Sequence, residues 1–509
     1  MRTIPDVLRE AARQHPDEVA LVTAEGRLSF AELRAAVMAV TRAALAVGVL
    51  PGDRVGIWAP NTERWVVSAL GLLQTGAILV PVNTRFKGEE AHHVLATTRA
   101  CLLVVDDSFL GAALESLRAA GDLPELRTVV TSAGWDAFLG AGGRVPVEQA
   151  QRAAGEVRPE DPCDIVFTSG TTGRPKGVVA THGTSTRLFQ SWADTVGLRS
   201  GDRMLVVAPF FHTFGYKAGL LACLLQGATL VPMPVFDVGR ALDLVAQERI
   251  TVVPGPPTLY SSLLEHPGRG SRDLSSLRLA VTGAAVVPTE LIRRMRDELG
   301  FASVLTAYGL TECTGYATGC RQGDPDEVVS RTSGRAVDGV EVAVVDVDGR
   351  PVPAGEPGEV VVRGYNVMAG YWEEPVETAK AVDADGWLHT GDVGVLDGAG
   401  NLRITDRLKD MYIVGGFNAY PAEVEQVLVR HEGVSEAAVI GVPDERMGEV
   451  GQAYVLPRAG AAPEPAELVA WCSDRLAGYK VPRTVVLVDA LPRNATGKVD
   501  KLALRAARR

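Results

Sequence analysis

The sequence has few cysteines. Its 509 residues include six of them, none in a C-x-x-C pair and none in a Cys/His cluster with zinc spacing. Most lie in apolar runs, where a free thiol behaves as a small hydrophobic group. We therefore expect a reducing, cytoplasmic environment, no disulfide framework and no zinc site.

An excess of positive charge is also missing. Lys and Arg number 51 against 62 Asp and Glu, so the formal net charge is −11. Such a chain gains nothing from bulk electrostatics when it meets nucleic acid or an anionic membrane surface. We expect no nucleic-acid partner, although a local basic site for an anionic ligand remains allowed.

Long uninterrupted hydrophobic runs are absent. Residues 1–22 carry charges throughout and have no apolar core of the kind found in secretory signals. Residues 218–236 are uncharged, but Gln226-Gly227 and the prolines at 232 and 234 divide them into a short helix and a strand. We interpret this stretch as buried core and expect no stable membrane insertion.

What is present is an alternation of strand and helix patterns, which favours parallel α/β sheets. Strands are predicted at Val55–Trp58, Ile78–Val82, Leu102–Val105, Met204–Val207, Thr229–Pro232, Thr251–Val253 and Leu279–Val281, and helices at Glu63–Leu73, Gly239–Gln247 and Thr289–Glu298. From about residue 340, short strands and Gly/Pro turns recur every 8–12 residues, which predicts a small antiparallel or barrel-like part. A compact α/β tail is predicted after about Asp406.

The segment FTSGTTGRPKG (residues 167–177) carries the strongest chemical signal. A strand-like run leads into glycines, which let the backbone turn and approach a ligand closely. Three small hydroxyl residues add donors, and Lys176 adds a mobile cation. This combination suits a polyphosphate. The spacing does not match G-x-x-x-x-G-K-[ST], so it is not a Walker loop. The alternative is a solvated surface turn.

Six further segments follow in a fixed order: PFFHTFGY (209–216), VTGAA (281–285), TAYGLTE (306–312), GWLHTGD (386–392), ITDRLKDMYIVGGFNAYPAEVE (404–425) and LPRNATGK (491–498). With these seven motifs, residues 10–505 resemble the adenylate-forming superfamily of acyl-CoA synthetases, firefly-type luciferases and peptide-synthetase adenylation domains. The stretches FFHTFGYKAGLLACL and VVPGPPTLY are particularly similar to actinobacterial ligases of sterol degradation that act on hexahydroindanedione propanoate.

The resemblance implies an α/β fold in two domains. A large N-terminal adenylate-forming domain (1–405) would contain parallel α/β layers and a β-barrel-like part (about 335–405). A hinge (406–410) would connect it to a smaller, mobile C-terminal α+β domain (411–509). In this superfamily the small domain rotates between two half-reactions, with Lys409 at the pivot position.

The implied reaction is that of an AMP-forming acid–CoA ligase. ATP activates a carboxylic acid to an acyl-adenylate, and the thiol of coenzyme A then displaces AMP, with Mg²⁺ as the metal. The expected acid is a keto-bearing alicyclic propanoate from sterol ring degradation. Medium- or long-chain fatty acids, aryl acids, and loading of a carrier protein in trans stay open as alternatives, and so does a homodimer.

The resemblance also assigns the nucleotide site. Its residues are Thr168, Ser169, Gly170, Thr171, Thr172, Gly173, Lys176, Gly283, Ala284, Ala285, Tyr308, Gly309, Thr311, Asp392, Arg407 and Lys498. Glu312 is the expected Mg²⁺ ligand, which is chemically adequate because a cation that bridges phosphates takes one or two protein carboxylates. Tyr308 is expected to stack on adenine, and Asp392 to accept from the ribose hydroxyls. Without the family context, Glu312 would be a surface residue and Asp392 a turn cap.

Two groups of residues are expected to act on the reacting atoms or along the thiol path. The catalytic set is Lys498, Glu312, His212 and Thr171. Lys498 would offset the charge of two anions during adenylation, which is electrostatic positioning; the sequence by itself suggests a solvated tail lysine. Gly415 and Gly416 would leave a tunnel for the phosphopantetheine arm.

The acyl pocket is the least readable part. The resemblance places Phe210, His212, Phe214, Gly215, Tyr216, Lys217, Gly255, Pro256, Tyr260, Leu310 and Tyr316 around the acid, with Thr282 nearby. This wall is apolar and bulky, with a few polar tips. His212 is expected to position the substrate, the alternative being a core histidine. Lys217 would either donate to a substrate ketone or extend to solvent.

Overall fold

The computed structural model describes residues 1–111, 113–168, 175–283, 287, 289–346, 348–407, 412–419, 421–492, 499 and 501–506. The strands are β1 (Val19–Val22), β2 (Arg27–Ser29), β3 (Arg54–Trp58), β4 (Ile78–Pro81), β5 (Leu102–Val105), β6 (Thr128–Val130), β7 (Pro162–Thr168), β8 (Lys176–Thr181), β9 (Arg203–Val206), β10 (Thr229–Pro232), β11 (Val252–Pro254), β12 (Leu279–Gly283), β13 (Ser303–Tyr308), β14 (Thr318–Gly319), β15 (Arg335–Ala336), β16 (Val340–Val345), β17 (Gly358–Gly364), β18 (Gly370–Tyr371), β19 (Leu388–Leu396), β20 (Leu402–Arg407), β21 (Tyr412–Val414), β22 (Phe417–Ala419), β23 (Val434–Asp444), β24 (Gly448–Pro457) and β25 (Thr484–Leu487).

The α-helices are α1 (Ile4–Gln14), α2 (Phe30–Ala46), α3 (Glu63–Leu73), α4 (Gly88–Thr98), α5 (Asp107–Leu110), α6 (Ala113–Ala120), α7 (Trp135–Ala141), α8 (Val147–Glu156), α9 (His182–Val196), α10 (Ala222–Gln226), α11 (Val238–Glu248), α12 (Pro257–Glu265), α13 (Thr289–Asp297), α14 (Asp326–Arg331), α15 (Pro375–Ala381), α16 (Pro421–Val429), α17 (Pro465–Arg475) and α18 (Lys501–Ala506). Short 3₁₀ turns lie at Gly142–Arg144, Arg269–Ser271 and Thr311–Cys313, and a π-helix spans Phe214–Leu221.

Two large mixed sheets form the N-terminal part, as the strand and helix alternation predicts. Within the described residues, one sheet has the order β18-β8-β7-β4-β3-β5-β6 and the other β15-β14-β13-β12-β11-β9-β10-β1-β2. The central neighbours are parallel and the pairs at the ends are antiparallel. The central strands are buried on both faces, which explains their continuous runs of Val, Ile and Leu.

The local signals that start the helices are visible in the structure. Thr3 caps α1 in a capping box with Asp6, and the Thr62 side chain accepts from the backbone amide of Trp65 at the start of α3. Every residue of α3 from Trp65 onward is buried, so this helix is apolar all round and packs between layers. The uncharged stretch 218–236 is helical to Gln226, turns at Gly227 with φ of 66°, and continues as β10, as predicted.

The last third of the chain adds two smaller sheets. Strands β16-β17-β19-β20 form an antiparallel, curled half-barrel sheet, where the turn spacing predicted one. Strands β22-β21-β24-β23, with β25 beside β24, form a separate sheet in the C-terminal part (residues 412–506). Among the described residues, no helix is long and apolar enough to cross a membrane.

Nine residues of the predicted sites lie outside the described residues: Ser169, Gly170, Thr171, Thr172, Gly173, Ala284, Ala285, Lys409 and Lys498. Their roles remain predictions. All six cysteines are buried and carry free thiols.

Candidate active site

The predicted phosphate segment begins and ends on two paired strands. β7 and β8 run antiparallel, and their register places Thr168 opposite Lys176, so residues 169–175 connect the two strands in the sequence. The ammonium of Lys176 forms an ion pair with the carboxylate of Glu377 and lies 5.1 Å from the ring centroid of Tyr371. Lys176 is therefore held next to the ring of Tyr371.

Glu312 lies next to this lysine. The hydroxyl of Tyr371 donates to Oε1 of Glu312 over 3.0 Å. Burial raises the pKa of Glu312, while hydrogen bonds and the charge of Lys176 offset part of that shift. Gly309 lies just before the 3₁₀ turn Thr311–Cys313, which contains Glu312. A Cβ at Gly309 would come within 2.3 Å of the Gly315 carbonyl oxygen, so this position requires glycine.

The donor set at Glu312 fits Mg²⁺ held mainly by phosphates. Among the described residues, no three His, Cys, Asp or Glu side chains come together as a metal cage. Mg²⁺ usually binds through one or two carboxylates together with phosphate oxygens and water, so one buried carboxylate beside the phosphate strands is sufficient.

Tyr308 and Asp392 form the predicted nucleoside side of the site. The Tyr308 hydroxyl donates to Oδ2 of Asp392 over 2.7 Å. Burial, together with the Asp392 charge, raises the pKa of Tyr308, so it stays a neutral donor. Gly283 lies on the neighbouring strand opposite Ala307, and the backbone of Arg407 pairs with that of Asp392 across β19 and β20. Gly283 and Tyr308 thus end neighbouring strands, and Asp392, in the middle of β19, pairs with Arg407 at the end of β20.

His212 lies among aromatic rings from both parts of the chain. Its ring centroid is 4.9 Å from that of Phe211 and 5.6 Å from that of Phe417. Burial, with a contribution from the charge of Arg85, lowers the pKa of His212 to about 4. The imidazole is therefore neutral near pH 7, which agrees with a positioning role. Its Nε2 has no hydrogen-bond partner among the described residues.

The β21–β22 hairpin of the C-terminal part brings its glycines to the predicted acyl pocket. Gly415 and Gly416 have φ of 56° and 84°, a conformation that suits glycine. A Cβ at Gly416 would lie 3.5 Å from Pro256. The next residue, Phe417, stacks on Tyr479 with centroids 4.8 Å apart and carries the Arg85 guanidinium 3.9 Å above its ring.

The structure contradicts one of the two alternatives predicted for Lys217. Its ammonium lies 3.0 Å from Oδ2 and 3.1 Å from Oδ1 of Asp164, and both side chains are only 1% exposed. The alternative that Lys217 extends to solvent is wrong, because the π-helix turns this side chain toward β7. Its donation to a substrate ketone stays a prediction, with Asp164 as a competing partner.

Two other predicted pocket residues, Tyr260 and Tyr216, differ in the contacts of their hydroxyl groups. The Tyr260 hydroxyl donates to the carbonyls of Val253 and Val281, so its polar tip is engaged within the core. Tyr216 packs edge-on against Trp65, and its hydroxyl has no hydrogen-bond partner among the described residues. Phe210 also packs on Trp65. Gly215 approaches neighbouring backbone atoms closely, and Gly255 approaches the Leu259 side chain. Phe214 and Leu310 are partly buried, whereas Tyr316 and Thr282 are buried.

A cavity of about 760 Å³ lies between the N-terminal and C-terminal parts. Three cations line it: Arg85, Lys87 and Arg483. Met447, whose carbonyl accepts from the Gly415 amide, and Tyr479 also line it. Arg85 and Tyr479 were not predicted from the sequence; the position of Arg85, three residues after the predicted strand Ile78–Val82, was the available signal.

Comparison with known proteins identifies the family. Residues 8–372 match the AMP-binding enzyme family, and residues 423–498 match the AMP-binding enzyme C-terminal domain. The chain belongs to this family. It is an acid–thiol ligase with the adenylate-forming fold, and the predicted family, fold and enzyme class are confirmed.

Two curated relatives are similar over the full length. Both carry the name 3-[(3aS,4S,7aS)-7a-methyl-1,5-dioxo-octahydro-1H-inden-4-yl]propanoyl:CoA ligase. The protein from Rhodococcus jostii RHA1 is 50% identical, over 99% of this chain and 98% of its own. The protein from Mycobacterium tuberculosis H37Rv is 51% identical, over 99% of each chain.

Two solved structures have similar sequence identity to this chain but differ in how closely they superimpose on it. A double mutant of o-succinylbenzoate CoA synthetase from Bacillus subtilis, bound with its product analogue OSB-NCoA, is 29% identical with a TM-score of 0.85 and coverage of 99% and 98%. ATP-bound MatB from Rhodopseudomonas palustris is 30% identical with a TM-score of 0.72 and coverage of 99% of each chain.

Proposed function

We propose that this ligase joins coenzyme A to hexahydroindanedione propanoate, a bicyclic acid with two ketones, in two steps that use ATP and Mg²⁺. The observation that carries the choice of acid is the identity of 50% and 51%, over nearly the full length, to two ligases named for that acyl group. A bulky, largely aromatic pocket wall agrees with a compact ring system rather than a long flexible chain.

In the first step, the residues around Glu312 bind and orient ATP. Lys176 and the segment that follows Thr168 hold the phosphates, while Asp392, supported by the Tyr308 hydroxyl, receives the ribose. Glu312 would hold Mg²⁺, which supplies positive charge to the phosphates when it is bound. The neutral His212 positions the acid without taking a proton, because its pKa of about 4 leaves it unprotonated and weakly basic.

The orientation of the C-terminal domain supports a role in the second step. At similar identity and coverage, the agreement is better with the product-analogue complex than with the ATP complex, which supports a domain arrangement like that of the product-analogue complex. The hairpin that carries Gly416 reaches Pro256 and His212 in this orientation. We infer that the structure represents the state for thiol transfer.

Coenzyme A would approach through the cavity between the domains. The three cations Arg85, Lys87 and Arg483 suit its phosphates, and Met447 and Tyr479 connect the cavity wall to the Gly416 hairpin. The free, buried thiols agree with a reducing cytoplasmic location.

A substrate panel tests this function. The protein is incubated with ATP, Mg²⁺ and hexahydroindanedione propanoate, octanoate, palmitate or ferulate, with and without coenzyme A. Pyrophosphate release and CoA thioester are measured. We expect kcat/KM for the bicyclic acid to exceed that for palmitate at least tenfold, about the minimum for a fitted apolar pocket.

Each alternative gives a different result in the same panel. A preference for palmitate or ferulate would contradict the bicyclic acid while leaving the ligase class intact. Pyrophosphate release without any CoA thioester, for every acid, would indicate an enzyme that loads a carrier protein.

A further inference from the structure

A lysine is buried between the two domains and contacts a carboxylate on each side. Lys480 lies in the loop between α17 and β25 and is 1% exposed. Its ammonium lies 2.9 Å from Oε1 of Glu90 on α4 of the N-terminal domain and 2.7 Å from Oε1 of Glu423 on α16 of the C-terminal domain. Glu90 is therefore the interdomain partner, and Glu423 is the partner within the lysine's own domain.

The lysine is attached to the hairpin that reaches the active site. Glu423 is the third residue of α16, four residues after β22 ends, and the residue before the lysine, Tyr479, stacks on Phe417 of that hairpin. Asn83 of the N-terminal domain donates to the Tyr479 hydroxyl over 3.4 Å. An interaction that holds Lys480 at Glu90 therefore also holds the Gly416 hairpin next to Pro256.

The electrostatics make this contact strong but reversible. Burial by itself would lower the pKa of Lys480, but Tyr479, Glu423 and Glu90 outweigh it, so the pKa is raised and the side chain stays charged. Burial raises the pKa of Glu90, and the charge of the Lys480 ammonium offsets part of that rise. A buried ion pair gains attraction at the cost of desolvation, so its net contribution is smaller than that of an equal apolar contact. When the domains separate, all three groups regain water.

We propose that Glu90 and Lys480 form an interdomain clasp that holds the C-terminal domain in the thiol-transfer orientation; this rests on the proposed two-step function. The clasp acts on positioning alone, since neither residue is among the predicted nucleotide, acyl-pocket or catalytic residues. Breaking it frees the domain without removing any group from the active site. Glu423 has a different role, because it holds Lys480 within its own domain.

This difference supplies a matched pair of variants. Glu90→Gln keeps the size of the side chain and removes the interdomain charge, whereas Glu423→Gln removes a charge from the same cluster and leaves the interdomain pair intact. Adenylation is measured by ATP–pyrophosphate exchange, and thiol transfer by single turnover of preformed acyl-adenylate with coenzyme A. Orientation is measured by single-molecule energy transfer between dyes on the exposed positions Glu125→Cys and Asp474→Cys in both variants and in the parent.

For Glu90→Gln we expect thiol transfer about tenfold slower, adenylation unchanged or faster, and a smaller population at the parent's main dye distance. Glu423→Gln should keep the parent's ratio of half-reactions and its dye distance. If the dye-distance population is unchanged in Glu90→Gln, or falls equally in both variants, the clasp is wrong. If the parent makes no CoA thioester, the proposed function fails, and the dye distances still decide whether the clasp exists.

Discussion

Lys217 is a buried cation whose charge is balanced by a single carboxylate. Lys217→Met should leave Asp164 buried without its partner and lower the free energy of unfolding by about 3–5 kcal/mol, measured by urea denaturation. The matched control is Lys380→Met, because Lys380 pairs with Glu377 at an exposed position and should cost about 1 kcal/mol or less. Replacing both Lys217 and Asp164 by apolar residues should recover most of the loss. A loss below about 1 kcal/mol for Lys217→Met would mean that Asp164 is not charged there.

His212 should make the protein less stable in acid. Its pKa is about 4 when folded and about 6.5 when unfolded, so the unfolded state binds more protons between these values. Its contribution to stability is therefore fully present above pH 6.5 and is lost as the pH falls to 4. Because the ring is partly accessible, we expect the loss to be about 1–3 kcal/mol.

The comparison of wild type with His212→Asn isolates this effect. The difference in their free energies of unfolding should shrink by that amount between pH 7 and pH 4, while His182, also buried with a pKa of about 4, still titrates in both proteins. A constant difference across this pH range would show that the pKa of His212 is the same in the folded and the unfolded state.

At the scale of elements, local patterns predicted three helices and seven strands to within two residues, but not how the elements are joined. The limits of α3 and the change from helix to strand at Gly227 follow from periodicity and turn residues, and both were predicted. The π-helix was not, because its extra residue per turn depends on packing against Trp65 and on the ion pair to Asp164. That partner lies 53 positions away in the sequence.

The Gly416 hairpin gives a test at this scale. Gly416→Ala places a methyl group about 3.5 Å from Pro256 at a positive φ, whereas Gly448→Ala imposes a similar φ of 79° with little nearby except the carbonyl of Ile413. Both should cost about 1–2 kcal/mol of stability from backbone strain. Only Gly416→Ala should also slow thiol transfer, by about tenfold or more, with adenylation kept. Equal rates of transfer in the two variants would contradict the tunnel.

For the whole molecule, the sequence predicted two domains and an exchange of orientation, but not which orientation the structure adopts. Both states use the same motifs, and the choice depends on contacts such as Lys480 with Glu90, 390 positions apart. Likewise, Tyr308 beside Asp392 could be predicted only through the family, since no local pattern joins residues 84 positions apart.

Lys498 tests whether the two steps use different residues. We expect Lys498→Ala to slow adenylation by about 10²–10³-fold, the loss typical of one preorganised electrostatic donor. Transfer from preformed acyl-adenylate to coenzyme A should stay near the wild-type rate, because the Gly416 hairpin approaches Pro256 in this structure and we expect it to serve the second step. Gly416→Ala should show the reverse pattern, so each variant serves as the control for the other. If Lys498→Ala slows both steps equally, the lysine supports folding or a shared site, and the separation of the two half-reactions between domain orientations is wrong.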